Sequence, residues 1–189
     1  ELQQKGKLHE ESLLAMMYMN EANAYQSINH YEEALCDHSN AIEIMEHLYR
    51  KGNLPDTKEL ATVYINRAVT YDSLTRYDEA IADYSRAIDI VERISQENGQ
   101  PDESLLALAY MNRAGTYHSL TRYDEAIADY SRAVEILERL HREEKLPNEN
   151  DLATVYMNRA ITYDSLTYYS QALTDYSQAV EIRERMHQE

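Results

Sequence analysis

The chain has 189 residues, of which 34 are acidic and 18 basic, so its formal net charge at pH 7 is −16. This charge argues against nucleic-acid and anionic-membrane partners, both of which attract basic protein surfaces. No apolar run approaches the length of a membrane-spanning helix.

A 46-residue internal repeat organises the whole sequence. The segment Thr75–Ala87 is identical to Thr121–Ala133, and three anchor positions return at the same spacing in four copies. A fixed period of this kind is typical of stacked structural repeats, so we predict one array with repeats at about 10–55, 56–101, 102–147 and 148–189. The anchors are Tyr18, Tyr64, Tyr110 and Tyr156, then Asn20, Asn66, Asn112 and Asn158, then Ala34, Ala80, Ala126 and Ala172.

Each repeat carries two apolar stripes at helical spacing. In the second repeat the first stripe is Ala61, Tyr64, Ala68 and Tyr71, and a broader stripe follows within Tyr77–Val91. These steps of three and four residues place each stripe on one helix face. In chain order we predict helices at about 10–27, 31–50, 56–73, 77–97, 102–119, 123–144, 148–165 and 169–187.

Residues that start and stop helices recur between the repeats. The prolines stand 46 residues apart, at Pro55, Pro101 and Pro147. The expected N-cap residues are Asp56, Asp102 and Asn148. Glu59 follows the first of these caps by three residues, which is a capping-box pattern. Gly52 and Gly99 are suited to ending the preceding helices.

The order of these residues resembles the tetratricopeptide repeat. The second repeat has Tyr64, Ala68 and Tyr71, then Tyr77-Asp78-Glu79-Ala80, Tyr84 and Ala87, and the third matches equally well. The first repeat departs most, with His38 where the others have Tyr. The resemblance implies an all-α, right-handed superhelical solenoid of four antiparallel helix hairpins. Because the family's usual period is about 34 residues, both helices should be longer, as in arrays of the kinesin light chain kind.

A second stripe on each first helix lies opposite the core-facing stripe, and the resemblance implies that it lines a concave groove. An Asn amide offers donors and an acceptor and can hold the main chain of an extended peptide. The alternative is that this Asn is a common family residue that only stabilises the hairpin. The candidate peptide-binding residues are Met19, Asn20, Asn23, Ile65, Asn66, Val69, Met111, Asn112, His118, Met157, Asn158 and Ile161.

The charge of this stripe predicts the kind of peptide. It contains no Lys or Arg, whereas Asp72 and Asp164 belong to it. A clamp for a C-terminal carboxylate is therefore not expected. A neutral or basic segment should bind better than an acidic one.

Charged residues also recur within the repeats. The last three first helices carry an arginine, at Arg67, Arg113 and Arg159. All four second helices carry an aspartate, at Asp37, Asp83, Asp129 and Asp175. Because the first repeat has Glu21 in place of Arg, we predict that each Asp pairs with the Arg of the following repeat. Pairing within a repeat, Arg67 with Asp83, is the alternative.

The sequence contains no pattern for a catalytic, metal or cofactor site, so we predict that the protein is not an enzyme and has no cofactor. The expected function is a protein–protein interaction scaffold. The alternative is an architectural or oligomerisation module of a larger signalling or regulatory protein. The last helix stays apolar at Leu173, Tyr176 and Val180, so either the natural chain continues or another copy packs there.

The location of the protein is predicted from its cysteine content. Cys36 is the only cysteine, which favours a reducing, cytoplasmic compartment. The sequence begins at Glu1 rather than Met, and we expect it to be a piece of a longer protein.

Overall fold

The computed structural model describes the backbone of residues 2–54, 56–98, 102–146 and 148–188, and the side chains of these ranges except 2–7 and 97–98. Within these ranges the chain forms eight helices and no strand. They are α1 (Leu2–Ser27), α2 (Tyr31–Arg50), α3 (Thr57–Ser73), α4 (Tyr77–Asn98), α5 (Glu103–Ser119), α6 (Tyr123–Arg142), α7 (Glu149–Ser165) and α8 (Tyr169–Gln188). The all-α prediction is confirmed.

Seven of the eight helices begin and end within two residues of their predicted bounds. The prediction for α1 was wrong at its start, because the helix begins at Leu2 and not near residue 10. The apolar stripe that guided the prediction is absent from the first eight residues. Leu, Gln and Lys dominate there, and their helix propensity extends α1 beyond the stripe in spite of Gly6.

The predicted N-caps are confirmed. Asp56 accepts a hydrogen bond from the Lys58 amide at 2.9 Å, and Asp102 accepts one from the Leu105 amide at 3.1 Å. Asn148 caps α7 in the same way. Such a side chain satisfies one of the amide groups that a helix start leaves unpaired.

The ends of the second helices are also specified by sequence. Gly52 has φ +65°, and the amide of Asn53 donates to the Leu48 carbonyl, as expected for a helix that ends in a left-handed residue. Glu144 takes the equivalent place after α6 with φ +54°. Gly99 and the three prolines lie outside the described residues.

The turn inside each hairpin repeats one backbone geometry. Four residues at the 46-residue spacing have positive φ, and they are Asn29, Thr75, Thr121 and Thr167. At the second of them the amide of Arg76 donates to the Tyr71 carbonyl at 2.9 Å. Each first helix is therefore stopped at a fixed point, which fixes the register of the helix that follows.

Residues 1–100 form one compact unit, in which α1 packs on α2, α2 on α3 and α3 on α4. Small residues allow the close approach of α3 and α4, since Ala68, Ala80 and Ala87 are fully buried. The rings of Tyr64 and Tyr84 are also buried in this unit. Small residues and tyrosine rings therefore both contribute to the core of this unit.

Residues 101–189 form a second unit with the same order of packing, α5 on α6, α6 on α7 and α7 on α8. Its core includes Ala114, Ala126, Ala133 and the ring of Tyr130, which are the third-repeat equivalents of the small and aromatic residues in the first unit. The 46-residue repeat therefore builds the same hairpin in both units.

Candidate functional site

The candidate site is the second stripe on the first helix of each hairpin. On α3, Tyr64 and Ala68 are buried, whereas Asn66 and Val69 are half-buried. The two stripes of one helix therefore differ in exposure as predicted. The stripe that carries the asparagines stays partly open to solvent.

In the first unit the stripes of α1 and α3 lie side by side. The two helices are in contact, and the Asn66 Nδ2 group donates a hydrogen bond to Asn23 Oδ1 at 3.3 Å. Asn20 is exposed, and Met19 is half-buried. Three amide side chains and an apolar one therefore meet the solvent on neighbouring first helices.

In the second unit α5 and α7 are likewise in contact. Met157 and Ile161 are each 41% exposed, whereas Met111, Asn112 and Asn158 are half-buried. Gly115 stands where the first unit has Asn23, so the second unit has no equivalent of the amide pair. Its stripe is more apolar than that of the first unit.

Two predicted site residues are placed differently from the others. Ile65 is only 3% exposed, which leaves it almost no surface for a ligand. His118 is half-buried, with its ring 5.3 Å from the ring of Tyr123. Its Nε2 atom is buried and has no hydrogen-bond partner among the described residues.

The two acidic members of the stripe differ in their surroundings. Asp72 accepts a hydrogen bond from the Tyr84 hydroxyl at 2.9 Å, while Asp164 is exposed. Burial, and then the charge of Asp72, raise the pKa of Tyr84, so this hydroxyl remains protonated and keeps donating. Asp72 thus links the stripe to the hairpin core.

The prediction that each Asp pairs with the Arg of the following repeat was wrong. Arg67 binds Asp83 of its own hairpin through two hydrogen bonds, with Nε–Oδ2 at 2.6 Å and Nη2–Oδ1 at 2.9 Å. The alternative, pairing within a repeat, is confirmed. The two later pairs have the same geometry, and they are Arg113–Asp129 and Arg159–Asp175. A planar guanidinium suits this bidentate contact, and the antiparallel hairpin brings the two groups together.

In the contacts between neighbouring hairpins, Tyr64 and Arg67 were singled out in the sequence, whereas their partners on α2 were not. Arg67 Nη1 donates to Ser39 Oγ of α2 at 3.1 Å, and the Tyr64 hydroxyl donates to Glu46 Oε1 of α2 at 2.6 Å. The second unit repeats both contacts, from Arg159 to Ser131 and from Tyr156 to Glu138. This serine and this glutamate recur every 46 residues in the sequence, which was the available signal.

Comparison with known families and structures agrees with this architecture. Two family models, both described as tetratricopeptide repeat, match residues 105–185 and residues 61–90. No curated protein sequence matches the chain significantly.

Solved structures share the fold at low sequence identity. BtubC (BKLC) from P. vanneervenii has a TM-score of 0.81 and 23% identity, over 94% of this chain and 66% of that chain. Aspartyl phosphate phosphatase F from Bacillus subtilis has a TM-score of 0.76 and 16% identity, over 94% of this chain and 42% of that one. MamA has a TM-score of 0.68 and 16% identity, over 93% of this chain and 81% of that one. The chain therefore spans about two thirds of BtubC and less than half of the phosphatase.

The eight helices and these likenesses define an all-α helical repeat of the solenoid class. The chain is a tetratricopeptide repeat protein. Such repeats are typically scaffolds without enzymatic activity, and the family match supports a general role in protein–protein interaction, with proteins as partners. Among the described helices, none combines the length and the apolar character needed to cross a bilayer.

Proposed function

We propose that each unit of the chain binds an extended peptide segment along the asparagine-bearing stripe of its own two first helices, α1 with α3 in the first unit and α5 with α7 in the second. The observation that carries this proposal is the Asn23–Asn66 amide pair at the surface of the first unit. The bond between them uses one donor of Asn66 and one acceptor of Asn23. An amide side chain has two donors and an acceptor, so each keeps capacity for a peptide main chain.

The hydrogen bonding of the other asparagines also favours binding over a structural role. Among the described residues, no hydrogen bond joins the side chain of Asn112 or Asn158 to its own hairpin. An Asn that served only to stabilise the hairpin would need such a bond. Asn112 and Asn158 are half-buried, and the solvent-exposed part of each amide supports the proposal.

The chemistry beside the amides supports a neutral or basic peptide. Met157 and Ile161 offer exposed apolar contact, and methionine adapts to many side-chain shapes. Asp164 is exposed on the same stripe, which carries no Lys or Arg, and the chain has a net charge of −16. An acidic peptide would therefore be repelled. A cytoplasmic location is part of this proposal, and the free, exposed thiol of Cys36 supports it.

A pull-down from the source cell tests whether a partner binds to the asparagine-bearing stripe. The bait is the whole chain, compared with the double variant Asn66→Ala plus Asn112→Ala and with Asn40→Ala, which removes a half-buried asparagine from α2. We expect the wild type and Asn40→Ala to capture the same partner and the double variant to lose it. Equal capture by all three baits would contradict groove binding.

A second candidate function is an oligomerisation module, and exposed apolar side chains on α8 favour it. Leu173 and Val180 of α8 are 66% and 55% exposed. Large apolar side chains in such a row usually mark a contact surface. The two functions use different residues, so one chain can have both.

A further inference from the structure

The asparagine-bearing stripe of the second unit has a gap at Gly115. The residues at the equivalent positions of the other first helices are Asn23, Val69 and Ile161, all of which have larger side chains. Gly115 lies in the interior of α5, where glycine is less favourable than alanine. Its φ is not positive, so the backbone does not require glycine at this place. The space that it leaves is therefore the property to explain.

The gap leads to the hydroxyl group of Tyr130 on α6. A Cβ atom added at Gly115 would lie 3.6 Å from Tyr130 Oη, which is an ordinary van der Waals contact. Packing within the second unit therefore leaves room for a side chain at this position. Gly115 is half-buried, so part of its surface is open to solvent, whereas Tyr130 is only 3% exposed.

The two polar groups at this gap lack the hydrogen bond that their equivalents make in the first unit. There Tyr84 donates to Asp72, but His118 stands in place of Asp72 in the second unit. Among the described residues, no hydrogen bond joins the Tyr130 hydroxyl to another group. The buried Nε2 atom of His118 has no partner there either. A buried polar group without a partner is costly, so a ligand that supplies one is favoured.

The donor and acceptor roles of the two groups follow from their chemistry. Burial raises the pKa of Tyr130 to about 12, so its hydroxyl is protonated at neutral pH and can donate. In a neutral imidazole only one ring nitrogen carries a proton. We assign this proton to Nδ1 of His118, because a buried N–H group without a partner is rarer than a buried acceptor without one. The gap therefore offers a donor from Tyr130 and an acceptor from His118.

We infer that the gap at Gly115 binds the side-chain carboxamide of a glutamine or asparagine in the bound peptide. The carboxamide oxygen accepts a hydrogen bond from the Tyr130 hydroxyl, and the carboxamide NH2 group donates one to His118 Nε2. A carboxamide is close in size to the isopropyl group of Val69, which fills the equivalent position on α3. The inference rests on the proposed peptide binding and adds one side chain that the second unit recognises.

A main-chain peptide group and a carboxylate each match only one of the two groups. In a trans peptide group the N–H and the C=O point in opposite directions, so they cannot enter the gap together. A carboxylate has acceptors only, and one of them would face the acceptor nitrogen of His118. A primary carboxamide presents a donor and an acceptor side by side. It is also neutral, in agreement with the peptide proposed from the charge of the stripe.

NMR titration of the whole isotope-labelled chain with blocked amino acids tests the inference. The probes are the N-acetyl methylamides of glutamine, asparagine, methionine and glutamate, which share the same main-chain amides. We expect at least one carboxamide probe to bind with a dissociation constant on the order of 1–10 mM. It should shift the signals of Gly115 and His118. The methionine and glutamate probes should bind at least about tenfold more weakly, because each loses a hydrogen bond.

Two variants and a matched control locate the binding. Gly115→Ala places a methyl group over the hydroxyl, and Tyr130→Phe removes the hydroxyl without breaking a hydrogen bond within the described chain. Each should weaken binding of the carboxamide probe at least about tenfold. Circular dichroism should show that both variants fold. Tyr84→Phe removes the equivalent hydroxyl of the first unit and should leave the affinity of the probe unchanged.

Three results would overturn the inference. Equal or tighter binding of the methionine or glutamate probe would show that the gap does not select a carboxamide. Unchanged affinity in Gly115→Ala or in Tyr130→Phe would place the binding elsewhere. Signals that do not shift with any probe up to about 100 mM would exclude the site. If the pull-down still depends on Asn66 and Asn112, peptide binding to the stripe stands although the carboxamide site falls.

Discussion

His38 is the residue that departs most from its equivalents in the other repeats, all of which are tyrosines. Its side chain is fully buried, and neither ring nitrogen has a hydrogen-bond partner among the described residues. Burial, and then the nearby charge of Arg67, lower the pKa of His38 to about 4. The folded chain therefore keeps this imidazole neutral.

This histidine should make the chain sensitive to mild acid. The unfolded chain binds a proton at the ordinary pKa of 6.5, whereas the folded chain does not bind it until about pH 4. The contribution of the neutral His38 to the free energy of unfolding is thus complete above pH 6.5. It falls as the pH drops toward 4 and is smaller by about 2 kcal/mol at pH 5. We expect the free energy of unfolding of His38→Tyr to fall much less over this pH range, because a tyrosine side chain does not titrate there.

Urea unfolding at several pH values measures this difference. His47→Tyr is the matched control, because His47 is exposed on the same helix. It should keep the pH dependence of the wild type. Parallel pH profiles for His38→Tyr and the wild type would show that His38 does not cause the acid sensitivity.

Thr75 has φ +57°, which places a β-branched residue in the left-handed region. This conformation is unfavourable for Thr, whereas Asn tolerates it and already occupies the equivalent place at Asn29. We expect Thr75→Asn to raise the free energy of unfolding by about 1 kcal/mol, because Asn relieves part of the cost of the left-handed conformation. The control is Thr174→Asn, at an exposed position of α8, which should change the free energy of unfolding little. An equal effect of the two substitutions would show that the left-handed backbone at Thr75 is not the cause.

At the scale of helices, close approach of α3 and α4 depends on small residues in their contact. Ala80 is fully buried, and Ala82 is exposed on the same helix. We expect Ala80→Leu to cost about 1–3 kcal/mol, because the added atoms overpack the contact. Ala82→Leu adds the same atoms toward solvent and should be nearly neutral by urea unfolding. A similar loss for both would mean that packing at Ala80 does not limit the hairpin.

Most of the helices could be predicted from sequence because their apolar stripes and caps are local signals. The partner of Arg67 could not, because Asp37 and Asp83 recur with the same period and are equally good candidates by spacing. Only the antiparallel hairpin, which places Arg67 opposite Asp83, distinguishes them. The start of α1 was missed because helix propensity, and not an apolar stripe, extends it to Leu2.

The candidate site was predicted less completely than the helices. The exposure of Asn20, Met157 and Ile161 follows from their place on the stripe opposite the core. The burial of Ile65 does not, because that residue lies at the edge of the stripe, where neighbouring helices decide the exposure. The bond between Asn23 and Asn66 also depends on how two hairpins stack, which a single repeat does not show.

For the whole molecule, the strong negative charge should select among partners. We expect a basic peptide to bind at least about tenfold more tightly than an acidic peptide of equal length and apolar content. The difference should shrink with added salt, since the charges involved are exposed to solvent. Fluorescence anisotropy with labelled peptides measures both effects. Tighter binding of the acidic peptide would exclude the proposed preference.

The most direct test of the account is site-specific photo-crosslinking in a lysate of the source cell. One chain carries a photoreactive residue in place of Asn112, on the asparagine stripe, and the other carries it in place of Ala128, exposed on α6. We predict that a partner protein crosslinks at position 112 and not at position 128. Crosslinking at position 128 alone, or none at position 112, would contradict binding along the first helices.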